Sequence, residues 1–143
     1  MKKRYLLFIV VVVLLITTGC FPSKEKRLVC KQNASGVDVT FNINFKGNTI
    51  EKMDFSYDVD MSTRDQKSID IIAKQDFCSV VKSSMKDYAN AFISCNQNVE
   101  NKHLVVNAEL DVDRLAGNAI NKETSPNAAK GELEKQSYVC NFE

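Results

Sequence analysis

The sequence predicts an α+β domain: an antiparallel sheet of two long hairpins plus terminal strands, with helices packed on one face as a two-layer sandwich. Three observations carry this. Two pairs of segments alternate apolar and polar residues, each pair closed by a short turn, and each pair is followed by residues at helical spacing. The length is that of one domain. A chain of 143 residues that sheds its first 19 leaves 124, enough to bury roughly two-thirds of its unfolded surface around a single core.

The N-terminus stands apart from that domain. Lys2, Lys3 and Arg4 precede an unbroken apolar run over residues 5–16, followed by Thr17, Thr18, Gly19 and Cys20. This order is the charged region, apolar region and small-residue cleavage site of an export signal. Twelve apolar residues in a helix reach about 18 Å against the roughly 30 Å of a hydrocarbon core, which favours cleavage over a stable span. Gly19-Cys20 resembles the bacterial lipobox, in which the cysteine sulfur takes a diacylglycerol and becomes the first mature residue; Thr17 stands where that motif more often has leucine. A signal anchor and a plain secretory signal are the alternatives. The expected organisation is a lipoprotein signal peptide over residues 1–19, lipidated Cys20 and a tether over 20–26, and a single globular domain over 27–143. Membrane lipid, through Cys20 on the extracytoplasmic face, is then the first partner.

Charge narrows the remaining partners. The signal carries three of the 19 basic residues and none of the 18 acidic ones, so the mature domain holds 16 against 18, a net charge of −2. No basic excess remains to attract nucleic acid.

Within the domain, Val37, Val39, Phe41, Ile43 and Phe45 alternate with Asp38, Thr40, Asn42, Asn44 and Lys46, the pattern of a half-buried strand. Gly47-Asn48 supplies a turn, and Met53, Phe55, Tyr57 and Val59 continue the alternation in a second strand. Ser62 and Thr63, with Asp65 and Gln66 three residues on, predict a helix start, and apolar residues from Ile69 to Phe92 recur near helical spacing. One or two helices are expected over residues 63–91, with a break at Lys74-Gln75-Asp76. Ile93, Cys95, Gln97 and Val99, then Leu104, Val106, Ala108, Leu110 and Val112, predict a second hairpin turning at residues 100–102. Asp113 is expected to cap a short helix through Ile120. Ser125-Pro126 opens another helix to about Gln136, and residues 138–142 end the chain as a strand. A shift of 53 residues aligns Asn48 with Asn101 and residues 58–60 with 111–113, which suggests a duplication or simply the shared turn and cap chemistry of two hairpins.

Four cysteines follow Cys20: Cys30, Cys78, Cys95 and Cys140, at spacings of 48, 17 and 45 residues. These spacings lack the close ligand pairs of a zinc site, and an even count in an exported chain favours two disulfides over free thiols. Cys95 shares its expected face with Ile93 and Val99, toward the core, while Cys78 lies in the helical layer covering that face. Cys78 is therefore expected to bond Cys95. Cys30, in a short strand with Leu28, and Cys140, in the last strand, are left to join the chain ends.

Chemistry-bearing patterns are sparse, and no cofactor or metal site is expected. His103, the only histidine, falls at the second hairpin turn and reads as an exposed loop side chain. No Gly-x-Ser-x-Gly, phosphate-cradling glycine loop or His-Glu-x-x-His is present, and no catalytic residue is assigned. The acidic pairs Asp58/Asp60 and Asp111/Asp113 are the sharpest remaining signal, because alternate strand residues share a face and two such pairs approaching across a sheet would hold calcium or magnesium. Solvated strand-end and helix-cap carboxylates explain them without a metal, and that is the favoured reading. Asn33-Ala34-Ser35 predicts a surface turn.

The segment Ile16-Thr17-Thr18-Gly19-Cys20, the short tether, and the hairpin over residues 37–60 together resemble the small YehR-like lipoproteins of bacteria. The four mature cysteines are not a hallmark of that family. The resemblance implies a cell-envelope location and brings no activity, substrate or catalytic residue. The expected function is a non-enzymatic binding or accessory module of the envelope, acting on an envelope protein or a polar ligand. The alternative is an envelope enzyme or a divalent-metal-binding protein using the acidic strand ends.

Overall fold

The computed structural model describes residues 24–143, so the expected signal and Cys20 lie outside the described residues. Six strands form one sheet: β1 (Glu25–Ala34), β2 (Val37–Lys46), β3 (Thr49–Asp60), β4 (Phe92–Glu100), β5 (His103–Leu110) and β6 (Val139–Phe142). Their order is β4-β5-β3-β2-β1-β6, and every neighbouring pair is antiparallel. Helices α1 (Gln66–Ala73), α2 (Phe77–Ser84) and α3 (Pro126–Lys135) supply the second layer. The fold class is the α+β sandwich that the alternation and helical spacing predict.

The central hairpin follows directly from its pattern. Val39, Phe41, Ile43 and Phe45 of β2 are buried, with Met53 and Phe55 of β3 beside them. Gly47 adopts φ +63° in the two-residue connection, a conformation that favours glycine. A bulge between Asn44 and Phe45 pairs Phe45 with Ile50 and leaves Glu51 as the extra residue. Ile50 and Met53, three apart, therefore both point into the core, a parity break that simple alternation does not reveal. Around them, Ile69, Val81, Leu115, Ile120, Ala129 and Leu133 close the core from the helical side. Each fully buried Leu, Ile, Phe or Met among them contributes roughly 1.5–3 kcal/mol.

Two strands depart from expectation. The first strand is ten residues long and begins at Glu25, inside the segment expected as tether, then turns at Ser35-Gly36 into β2. Leu28, Val29 and Cys30 are all buried in succession, so its centre is covered on both faces and shows no alternation to read. In β4 a bulge between Phe92 and Ser94 leaves Ile93 unpaired and 61% exposed, contrary to its expected core position. Phe92 takes the inward place, edge-on to Phe55 at 5.7 Å. Gln97 continues that face, and both ends of its amide are used: Oε1 accepts from Phe77 N–H at 2.8 Å and Nε2 donates to the Gln75 carbonyl at 2.6 Å.

The helices start later than expected, and for a definite reason. Asp65, not Ser62, caps α1 by accepting from Ser68 N–H at 2.9 Å, because Asp60 already holds Ser62 N–H at 2.7 Å in a turn leaving β3. The break at residues 74–76 is present, and Asp76 caps α2 through Ser79 N–H at 3.0 Å. A 3-10 segment (Lys86–Ala91) then leads into β4. The helix expected from Asp113 to Ile120 is instead one 3-10 turn (Val112–Arg114) capped by Asp111, followed by turns. Gly117 at φ +87° stops helical continuation there. Ser125 caps α3 with Pro126 at its first position, as the sequence predicts.

Two disulfides hold the edges. Cys30 and Cys140 sit directly opposite each other in the β1/β6 ladder, Cα to Cα 4.0 Å. The Glu143 N–H to Arg27 carbonyl bond, three residues along, fixes the alternation so that Cys30/Cys140 is a non-hydrogen-bonded pair, where side chains approach most closely. Cys78 at the start of α2 bonds Cys95 in β4, Cα to Cα 5.8 Å.

Candidate functional site

The acidic pairs are not brought together. β3 runs against β5 with Met53 opposite Leu110 and Asp60 opposite His103, which sets Asp58/Asp60 and Asp111/Asp113 at opposite ends of the ladder. Each carboxylate has a local task. Asp60 holds Ser62 N–H, Asp111 caps its 3-10 turn and pairs with Arg114 at 3.1 Å, and Asp113 pairs with Lys122. Among the described residues, no group of three or more His, Cys, Asp or Glu side chains is arranged to hold a metal ion.

His103 is not a loop residue, as its place beside the turn suggests, but the first residue of β5. The two-residue turn at Asn101 and Lys102, both at positive φ, ends just before it. Its Nδ1 lies 2.7 Å from Asp58 Oδ1 across the β3/β5 pair, with Asp60 beside it and Asp38 opposite Asp58 on β2. The hydrogen bond and charge of Asp58, then the charges of Asp60 and Asp38, raise the imidazole pKa above its ordinary value. A carboxylate and an imidazole on an open sheet face can hold a proton between them. Elsewhere on this face Arg27 donates to Asn42 at 3.0 Å, and Asn42 to Asp54 at 3.1 Å.

The inner face carries a different feature. Between the 3-10 segment after α2 and the C-terminal end of α3, the helical layer parts and leaves a cleft of about 390 Å³. Its floor is the sheet itself, through Phe41, Met53 and Tyr57. Met85 and Tyr88 form one wall, Leu133 and Tyr138 the other, and Ile120 lies between them. Ser84, Asp87 and Gln136 are the polar lining residues. The cleft exists because α2 ends at Ser84, and Met85 leaves the helix with ψ +56°, which turns the chain aside before it can cover the centre of the sheet.

Aromatic contacts fix the floor and far wall. Tyr138 stands edge-on to Phe41 with centroids 5.4 Å apart, Phe41 meets Phe55 at 5.5 Å, and Phe55 meets Tyr57 edge-on at 5.6 Å. Desolvation raises the phenol pKa of Tyr57, Tyr88 and Tyr138, so all three rings stay neutral at ordinary pH.

Sequence patterning marked Met53, Tyr57, Met85 and Tyr88 only as apolar-face positions. The signal that was available is compositional. The chain has four tyrosines and no tryptophan, and the three tyrosines in the described residues all line this one cleft.

No family model and no curated protein matches the chain. A solved structure, an NMR structure of a protein from Streptococcus pneumoniae TIGR4, is similar to it over 82% of this chain and 86% of that one, at 12% identity and a TM-score of 0.49.

Proposed function

We propose that the chain is a lipoprotein, tethered through Cys20 to the extracytoplasmic face of the cell membrane, whose domain is a non-enzymatic binding module with the aromatic cleft as its binding site. The cleft is the observation that carries the binding half. It is concave and lined by aromatic and aliphatic side chains together with three polar residues, Ser84, Asp87 and Gln136, a combination suited to a small ligand. The anchoring half is supported by the basic, apolar, Gly-Cys order of residues 2–20 and by the resemblance of that segment and the first hairpin to YehR-like lipoproteins. Four residues separate Cys20 from the first strand residue, Glu25, a reach of roughly 15 Å. The β1 start would then lie near the bilayer and the His103 end away from it.

Each half has its own test. Cys20→Ala removes the protein from the detergent phase of a phase-partitioning assay and abolishes fatty-acid labelling; undiminished labelling overturns the anchor. For the binding half, a broad panel of small molecules is screened by thermal shift, since a ligand of the native state raises Tm by mass action. Compounds are expected that raise Tm in the wild type but not in Ser84→Trp, which places an indole at the cleft edge. A panel without any such compound overturns the binding reading.

A further inference from the structure

We propose that the cleft takes an organic ammonium ion, a quaternary or alkylated amine, against the faces of Tyr57, Tyr88, Tyr138 and Phe41, with the Asp87 carboxylate at its mouth. This deepens the binding reading above and rests on it. Four aromatic rings drawn from β2, β3, the 3-10 segment and the chain before β6 converge on one space. The face of an aromatic ring carries the negative part of its quadrupole and attracts a cation whose alkyl groups also gain from apolar contact. Met53 and Met85 add polarisable thioethers to the lining, which accommodate alkylated nitrogen without supplying charge.

Asp87 is the one charged group among the described lining residues, while nearby Glu132 is paired with Lys135 at 2.7 Å. An anion would meet aromatic rings and a carboxylate together. A compact metal ion would lose its water for a lining without a converging set of oxygens. An alkylated ammonium, weakly hydrated and apolar at its surface, matches both the rings and the rim.

The test uses the full chain in a maltoside detergent, whose headgroup carries no ammonium. Tyrosine emission is the readout, because the chain has no tryptophan and three of its four tyrosines line the cleft. Tetramethylammonium and choline are titrated beside 3,3-dimethylbutan-1-ol, which replaces the charged nitrogen of choline with carbon. The cations are expected to saturate the signal at about millimolar concentration and the neutral alcohol to bind about tenfold more weakly. Asp87→Asn, an exposed substitution, is expected to weaken the cations about threefold and leave the alcohol unchanged. Tyr138→Phe keeps the ring and keeps binding, whereas Tyr138→Leu lowers cation affinity about tenfold, with Tm recorded to confirm folding. Equal binding of alcohol and cation, or cation binding indifferent to both Asp87→Asn and Tyr138→Leu, overturns the ammonium proposal while the binding cleft stands. No response to the cations also overturns it, and the separate panel then decides the binding reading.

Discussion

The two edges of the sheet are each held by one disulfide, and the two bridges do different work. At the β6 edge, Cys30 and Cys140 are buried, 0% and 3% exposed, and close a loop of 110 residues that contains nearly the whole domain. At the β4 edge, Cys78 and Cys95 are only half-buried, line shallow grooves, and close 17 residues. The first bridge fastens a four-residue final strand to the sheet; the second fastens the start of α2 to a nine-residue strand that already has a full ladder with β5. A short terminal strand has few hydrogen bonds to hold it and needs the covalent link for its place. A long edge strand needs it only to keep the helical layer docked.

That difference predicts an order of effects. Chain-entropy estimates give a little under 5 kcal/mol for a loop of about 110 residues and about 3 kcal/mol for one near 17. Cys30→Ala/Cys140→Ala is therefore expected to lower unfolding stability more than Cys78→Ala/Cys95→Ala by about 1–2 kcal/mol, measured by urea denaturation of the oxidised proteins. Under mild reductant the order of opening reverses with access: Cys78–Cys95 is alkylated first and Cys30–Cys140 last. Equal losses, or a Cys30–Cys140 bridge that opens first, would break the comparison.

A smaller effect asks whether sulfur alone docks α2 on β4. Gln97 spans the same junction, joining the Gln75 carbonyl and the Phe77 N–H from the strand side. Gln97→Leu keeps the volume and removes both bonds, at an expected cost of about 1–3 kcal/mol for the polar groups left without partners. Since Gln97 and the Cys78–Cys95 bridge hold one junction, the triple variant is expected to lose less than the sum of the two separate losses. Strict additivity in the double-mutant cycle would mean that the two contacts act independently.

These particulars also show what the sequence made legible. The hairpins at Gly47-Asn48 and Asn101-Lys102, the helix break before Phe77, the Ser125-Pro126 start, and the facing of Cys78 toward Cys95 all follow from local chemistry, and the structure contains them. The misplacements have definite physical causes. Ile93 and the Ile50/Met53 pair defy alternation because bulges change parity without changing composition, and β1 hides because its centre is buried on both faces. The approach of the acidic pairs was a matter of sheet order, which no local pattern encodes. His103 meets Asp58 for the same reason, through a pairing of strands 45 residues apart in sequence. The cleft was least legible of all, because it is defined by where α2 stops covering the sheet and not by any residue type.

The smallest expected effect lies on the polar face, at the end of the sheet that neither disulfide reaches. His103 is raised above its ordinary pKa chiefly by its hydrogen bond and charge interaction with Asp58, with Asp60 and Asp38 adding to it. A group whose folded pKa exceeds its unfolded value near 6.5 adds stability in full below that value and loses it as pH climbs through the folded pKa. Wild-type stability is thus expected to decline slightly as pH rises through the raised folded pKa, relative to His103→Gln, while groups titrating alike in both proteins cancel. The site is solvent-exposed and screened by salt, so the difference should shrink as ionic strength rises. Because the chain has one histidine, its imidazole resonance can be followed in an NMR titration without assignment. The midpoint should lie above 6.5 in the wild type and fall back in Asp58→Asn. A midpoint at or below the ordinary value would show that solvent outweighs the three carboxylates, leaving the disulfide-free end of the sheet without an electrostatic clasp of its own.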